Sequence, residues 1–226
     1  MAAVPPFAEL AAAPIPALDE LALALAVELR PPGSVDVAAA LRRLDALADE
    51  LRGAVAALAD PDDVAQQAAA CRDVLGDRHR FDGDREQYDH PDNSMLDLVL
   101  ERRRGLPILL SVVYAETARR AGLPVAGVGL PGHFVVGHFG AEDPILLDPF
   151  NHGAEVGADA DTRSVRPWAT TEIAMRMLNN LVGAYVRRRD LPAAIRAAEL
   201  RLLLPADDGL RRMLTEELDA LEAERE

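Results

Sequence analysis

The sequence predicts an α+β fold in which helices surround a short stretch of strands. Three observations point there. Half of the residues are apolar, mostly Ala, Leu and Val, while aromatics make up only 4%, a mixture that suits close-packed helices better than a large β-sandwich. Apolar residues recur at intervals of three and four along most of the chain. Between Val125 and Leu147 the pattern changes to short, β-branched or apolar runs bounded by Gly, Pro or Asp, the pattern of strands. At 226 residues the chain can bury a sizeable core in one domain of about 150 residues plus an appendage.

Residues 1–16 hold Pro5, Pro6, Pro14 and Pro16 and read as a flexible N-terminal arm. Ala17–Arg30 is rich in Ala and Leu and reads as a helix stopped by Pro31-Pro32. Ser34 suits the N-cap of a helix over about Asp36–Leu58, where Val37, Leu41, Leu44, Leu47 and Leu51 share one face. Asp60 as cap and Pro61 in the first turn open a third helix carrying Val64, Ala68, Cys71, Val74 and Leu75. Gly76–Asp92 is polar and reads as an ordered loop anchored by Phe81 and Tyr88.

Ser94 and Asp97 fit a capping box in its acidic form, so a helix starts near Met95. It runs to Arg102–Arg104, where basic residues suit a helix C-terminus better than a phosphate site, and Gly105 ends it. Pro107 opens another helix that reaches about Ala121, with Pro107, Leu110, Ser111, Tyr114 and Ala118 facing inward and Gly122 as terminator. Val125–Leu130, His133–Phe139 and Pro144–Leu147 then form a small antiparallel sheet. After a Gly- and Asp-rich loop over 151–166, helices are expected from about Thr171, over Ala193–Leu204 and over Asp207–Glu224. Their size, with Ala194 and Ala198 permitting close approach, resembles a tetratricopeptide unit. The expected division is therefore an arm over 1–16, a helical region with its core over 17–168, and C-terminal helices over 169–226.

Composition excludes several functions. A formal charge of −14 argues against electrostatic capture of nucleic acid or an anionic membrane. No apolar run approaches the roughly 20 residues of a membrane span. The start, MAAVPPFAEL, lacks the basic opening of a secretory signal, so a cytoplasmic location is expected. Cys71 stands alone, which leaves no internal disulfide and no thiolate cluster for zinc. No Gly-rich loop of the phosphate-cradling kind is present, and no cofactor is expected.

The best polar pair is His133, which starts one strand, and Asp148, which ends another. A carboxylate beside an imidazole fixes its tautomer and stabilises the imidazolium. The pair is two thirds of a nucleophilic triad; equally, it is a structural histidine satisfied by its carboxylate. The missing member would be Cys or Ser near a helix N-terminus. Ser111 sits one turn into the helix that Pro107 opens and reads more simply as a packed serine bonded back to the carbonyl of Pro107. Cys71 sits on an apolar helix face, where a free cysteine behaves as a small hydrophobe. His133, His138, His152 and Asp148 are ligand types for a metal. On one strand, however, His133 and His138 point to opposite faces, and no metal is expected.

The runs NSMLDLVLERRRGLPILLSVVY, AGLPVAGVGLPGHFVV and LLDPFNHG, with RMLNNLVGAYVRRRDLPAAI after them, resemble the SirB-type transglutaminase-like family over roughly residues 80–205. The resemblance implies a papain-like, transglutaminase-like α+β core, its helix at 107–121 packed on the sheet, followed by a helical repeat region. The wider superfamily uses Cys, His and Asp. His133 and Asp148 match the last two, while the Cys position falls near Pro107 or Ile108. Two functions follow. One is a regulatory or binding module with a protein or peptide partner. The other is a peptide or amide hydrolase, or an acyl transferase, that uses His133 and Asp148 with an unconventional nucleophile.

Overall fold

A computed structural model describes residues 4–157 and 165–225. Its centre is the helix α6 (Pro107–Ala121), numbered after five helices that precede it. Every residue from Pro107 to Ala118 is buried. A helix buried on all sides needs cover on all sides, and the rest of the chain supplies it. On one side lies the antiparallel sheet of β3 (Val125–Leu130), β4 (His133–His138), β5 (Ile145–Asp148) and β6 (Ala154–Glu155), in that spatial order. On the other side lie α2 (Leu18–Leu29), α3 (Val37–Ala56) and α5 (Leu96–Arg102).

The sheet follows from pattern and turn. Gly132 takes a left-handed φ of 72° between β3 and β4, which lets the chain reverse in two residues. Leu130 then faces His133, and Val128 faces Val135. Alternation along β4 sends Phe134 and Val136 into the main core with α6, while Val135 joins Val128 and Leu146 in a small second cluster. A parallel two-stranded sheet pairs β1 (Asp82–Gly83) with β2 (Arg104–Gly105) just ahead of α6. The remaining helices are α1 (Phe7–Ala12), α4 (Val64–Cys71), α7 (Thr170–Arg187), α8 (Leu191–Arg201) and α9 (Asp208–Arg225). One apolar core runs without interruption from Phe7 to Leu221. Among the described residues no helix is long and apolar enough to cross a membrane.

Several local expectations are corrected. Residues 1–16, expected as a flexible arm, carry α1, whose Phe7 and Leu10 are buried in the core; the gain from burying them outweighs the proline content. Asp36, not Ser34, caps α3 by accepting the amide of Ala39. Asp63, not Asp60, caps α4 through the amides of Ala65 and Gln66. The loop expected over 76–92 begins inside a π-helical turn, Arg72–Arg78, that continues α4, and it also contains β1. The Ser94 capping box does not form. Met95 is the cap residue of α5, the Ser94 hydroxyl is buried without a partner among the described residues, and Asp97 instead pairs with Arg30 at the end of α2. Arg103, with φ 58°, takes the left-handed position expected of Gly105.

Candidate functional site

The site lies where β4 starts and β5 ends. In the register of those strands Val136 faces Leu147. One step further sets Asp148 opposite Val135, so His133 lies diagonally across on the same face. His133 Nε2 stands 2.9 Å from Asp148 Oδ2. With Nε2 against the carboxylate, Nδ1 is the ring nitrogen outside that contact. The imidazole is about one third exposed and its carboxylate mostly covered, at 32% and 12%, so the pair is open to solvent from the histidine side.

Asp148 is held from behind. It caps the short 3-10 turn Pro149–Asn151 by accepting the Phe150 amide at 3.0 Å, and it accepts from Asn151 Nδ2 as well. Asn151 is fixed in turn by Arg85, whose Nη2 donates to Asn151 Oδ1 at 2.6 Å and to the Phe150 carbonyl at 2.8 Å. The other end of that guanidinium donates to both carboxylate oxygens of Asp82 at 3.1 and 3.2 Å, and the group lies over the Phe150 ring at 4.7 Å. Asp82 also faces His152 Nε2 at 3.3 Å. The Phe150 ring thus has three partners, Arg85 over its face and His133 and Tyr88 meeting it edge-on at 6.3 and 5.9 Å. Gly83 permits this, because a Cβ there would lie 2.4 Å from the ring.

The two nucleophile candidates stand elsewhere. Ser111 is fully buried, and its hydroxyl has no hydrogen-bond partner among the described residues, so the expected bond to the Pro107 carbonyl is absent as well. Cys71 is buried at the end of α4, and burial pushes its thiol up to about 12. Such a thiol is inert at neutral pH. Neither group makes a hydrogen bond to His133. Tyr114, one turn beyond Ser111, is buried, its hydroxyl has no partner among the described residues, and burial shifts it upward as well.

His138 faces away from His133, as the two-residue period of a strand requires. Its Nδ1 accepts the Gly140 amide at 3.2 Å, so Nε2 carries the proton and donates to Gln67 Oε1 at 2.8 Å. Burial holds it below the ordinary histidine value, which marks a neutral structural histidine that ties the sheet to α4. Among the described residues no three His, Cys, Asp or Glu side chains gather as a metal site would need.

Sequence reasoning named His133 and Asp148 and the structure brings them together. It missed Arg85, Asn151 and Asp82. Only Asn151, two residues after the Asp148-Pro149 pair, carried a local turn signal. Arg85 reaches it across 66 residues, and nothing local marks such a contact.

A family model described as the transglutaminase-like superfamily matches residues 38–181. The chain is 35% identical over 164 residues to a UPF0162 protein of Xylella fastidiosa, a match covering 63% of this chain and 58% of that protein. It is 30% identical over 143 residues to a UPF0162 protein of Vibrio cholerae, covering 57% and 53%. It is also 36% identical over 91 residues to human F-box only protein 21, covering 37% of this chain and 14% of that protein. The chain therefore spans little more than half the length of the UPF0162 relatives. No solved structure matches it.

Proposed function

Because the chain belongs to the transglutaminase-like superfamily, we propose that it retains that fold's histidine and aspartate as part of a recognition surface and works as a regulatory module that binds a protein or peptide. Within the superfamily it reads as a member of the SirB-type branch, with α7–α9 as tetratricopeptide-like helices appended at about residue 169. Its place of action is the cytoplasm. The observation that carries the reading is the lack of an activated attacking group among the described residues. The thiol is buried and shifted to about 12, the Ser111 hydroxyl is sealed in the core, and Pro107 and Ile108 occupy the helix start where the family's cysteine is expected. Nucleophilic catalysis needs a nucleophile within hydrogen-bond reach of its base.

The surface is well suited to a peptide. It presents an imidazole, the edges of Phe150 and Tyr88, and a guanidinium stacked on Phe150. Aromatic and arginine side chains of this kind carry most of the energy in peptide recognition. A second reading, an amide hydrolase or acyl transferase, is favoured by one feature: the imidazole stands against the Asp148 carboxylate through Nε2 and is about one third exposed. His133→Ala separates the two. A folded variant that loses capture of its partner peptide, with the parent showing no turnover of peptide amides, fits the binding module. Turnover in the parent that disappears in the folded variant overturns it.

A further inference from the structure

We propose that a cavity between α3 and the end of α5 is a binding site for a small organic monoanion, a carboxylate carried on an apolar body of side-chain size. It shares no lining residue with the His133 face, so it stands whatever that face binds. The cavity measures about 240 Å³. Leu47, Phe81 and Leu100 line it and are buried, which makes its floor apolar. Arg43 and Arg103 line it as well and are exposed, so a ligand entering from solvent can reach both.

The state of its charges sets this cavity apart. Neighbouring arginines are engaged. Arg78 stands 3.6 Å from Glu50, Arg102 stands 3.1 Å from Asp84, and Arg104 donates to the Arg80 carbonyl at 3.0 Å. Arg103 bonds only through its backbone among the described residues. Its amide donates to the Val99 carbonyl, and its carbonyl accepts from the Asp82 amide and from Arg104. Neither its guanidinium nor that of Arg43 has a hydrogen-bond or ion-pair partner among the described residues. Helix capping does not call for an arginine at 103 either. The residue ends α5 with a left-handed φ of 58°, a conformation that glycine adopts most easily.

Charge and size select the ligand. Two acids also line the cavity, Glu50 and Glu101. Glu50 is already balanced, with His79 Nε2 at 3.0 Å and Arg78 at 3.6 Å. Glu101 has no ion-pair partner among the described residues. Two open guanidiniums against one open carboxylate leave a single positive charge, so one monoanion completes the site and a dianion such as phosphate overfills it. A guanidinium offers a carboxylate donors in a matching planar fork. Phe81 and the two leucines offer the rest of the ligand an apolar surface. At about 240 Å³ the space falls just short of the roughly 300 Å³ where drug-sized pockets begin, which excludes a nucleotide.

The test is an NMR titration of the ¹⁵N-labelled full chain with sodium phenylacetate at constant ionic strength. Phenylacetamide keeps the ring without the charge, and sodium acetate keeps the charge without the ring. The expected result is a saturable shift of the Leu47, Phe81 and Leu100 amides with phenylacetate and much weaker binding of either analogue. Arg43→Gln and Arg103→Gln each weaken phenylacetate about tenfold, the size of one hydrogen bond to a charged group. Both keep the parent melting temperature, because neither guanidinium has a partner to lose. Arg42→Gln, an exposed neighbour outside the cavity, controls for general charge and keeps the parent affinity. Competition by an acetylated dipeptide ending in a free phenylalanine carboxylate, and not by its amide, assigns the ligand to a chain terminus; phenylacetate binding without that competition assigns it to a free organic acid. The proposal is overturned by no saturable shift, by equal binding of phenylacetamide or acetate, by unchanged affinity in either cavity variant, or by an equal loss in Arg42→Gln.

Discussion

Replacing Gly76 by alanine tests how the loop that carries Asp148 is seated. Gly76 lies in the π-helical turn Arg72–Arg78, and a Cβ built on it would stand 1.9 Å from the carbonyl oxygen of His152 and 2.7 Å from its carbonyl carbon. The obstacle is backbone, so no side chain can swing aside. The loop must retreat by about 1 Å, and the Tyr114 hydroxyl at 3.1 Å crowds the same point. Overpacking of this severity costs about 3 kcal/mol. Alanine returns about 1 kcal/mol as the better helix former, which leaves a loss of about 2 kcal/mol. For a chain of this size that is roughly 4–8 °C in melting temperature. Gly53→Ala is the matched control. It sits inside α3 with nothing within 4 Å of the new methyl, so it should gain about 1 kcal/mol and melt higher. Both variants are read by urea unfolding followed by circular dichroism. A Gly76→Ala protein as stable as Gly53→Ala would refute the seating of the loop on the π-helical turn.

Three further outcomes are expected. Iodoacetamide at pH 8 should label Cys71 in the folded chain more than about a hundredfold more slowly than in urea, because burial suppresses the thiolate; comparable rates would show an open thiol. Arg120→Met should cost about 3 kcal/mol in urea unfolding, because Asp19 and Glu116, only 2% and 4% exposed, lose the guanidinium they share; an equally stable variant would refute that role for Arg120. His138 is held below its ordinary value of 6.5 by burial. As pH falls through that value the unfolded chain takes up the proton and the folded chain does not, so stability should drop between about pH 7 and 5. His138→Gln should flatten that decline, and equal slopes in parent and variant would discount the histidine.

The central helices were legible because their signals are local. Pro107 opens α6, Gly122 closes it with a φ of 86°, and the apolar spacing between them admits no other reading. The strands were legible for the same reason, and with them the pair of His133 and Asp148, since each residue stands at a strand end. What stayed hidden depends on partners far along the chain. The parallel pairing of β1 with β2 joins residues about twenty positions apart. Arg120 reaches Asp19 across 101 residues. The capping box at Ser94 failed because Asp97 found Arg30, a competitor that local pattern cannot reveal. Cap positions at Ser34 and Asp60 slipped by two and three residues because each segment offers a second acidic or hydroxyl side chain nearby.

The claim that matters most is that His133 and Asp148 face no activated nucleophile among the described residues, and acyl trapping tests it directly. The folded chain is exposed to a molar excess of an activated ester such as p-nitrophenyl acetate at pH 7.5. Intact-mass spectrometry then follows the parent beside His133→Ala. The account predicts no acyl adduct that depends on His133. A single stoichiometric adduct on a hydroxyl or thiol of the parent, absent from the folded variant, would contradict it and make this chain an acyl-transfer enzyme.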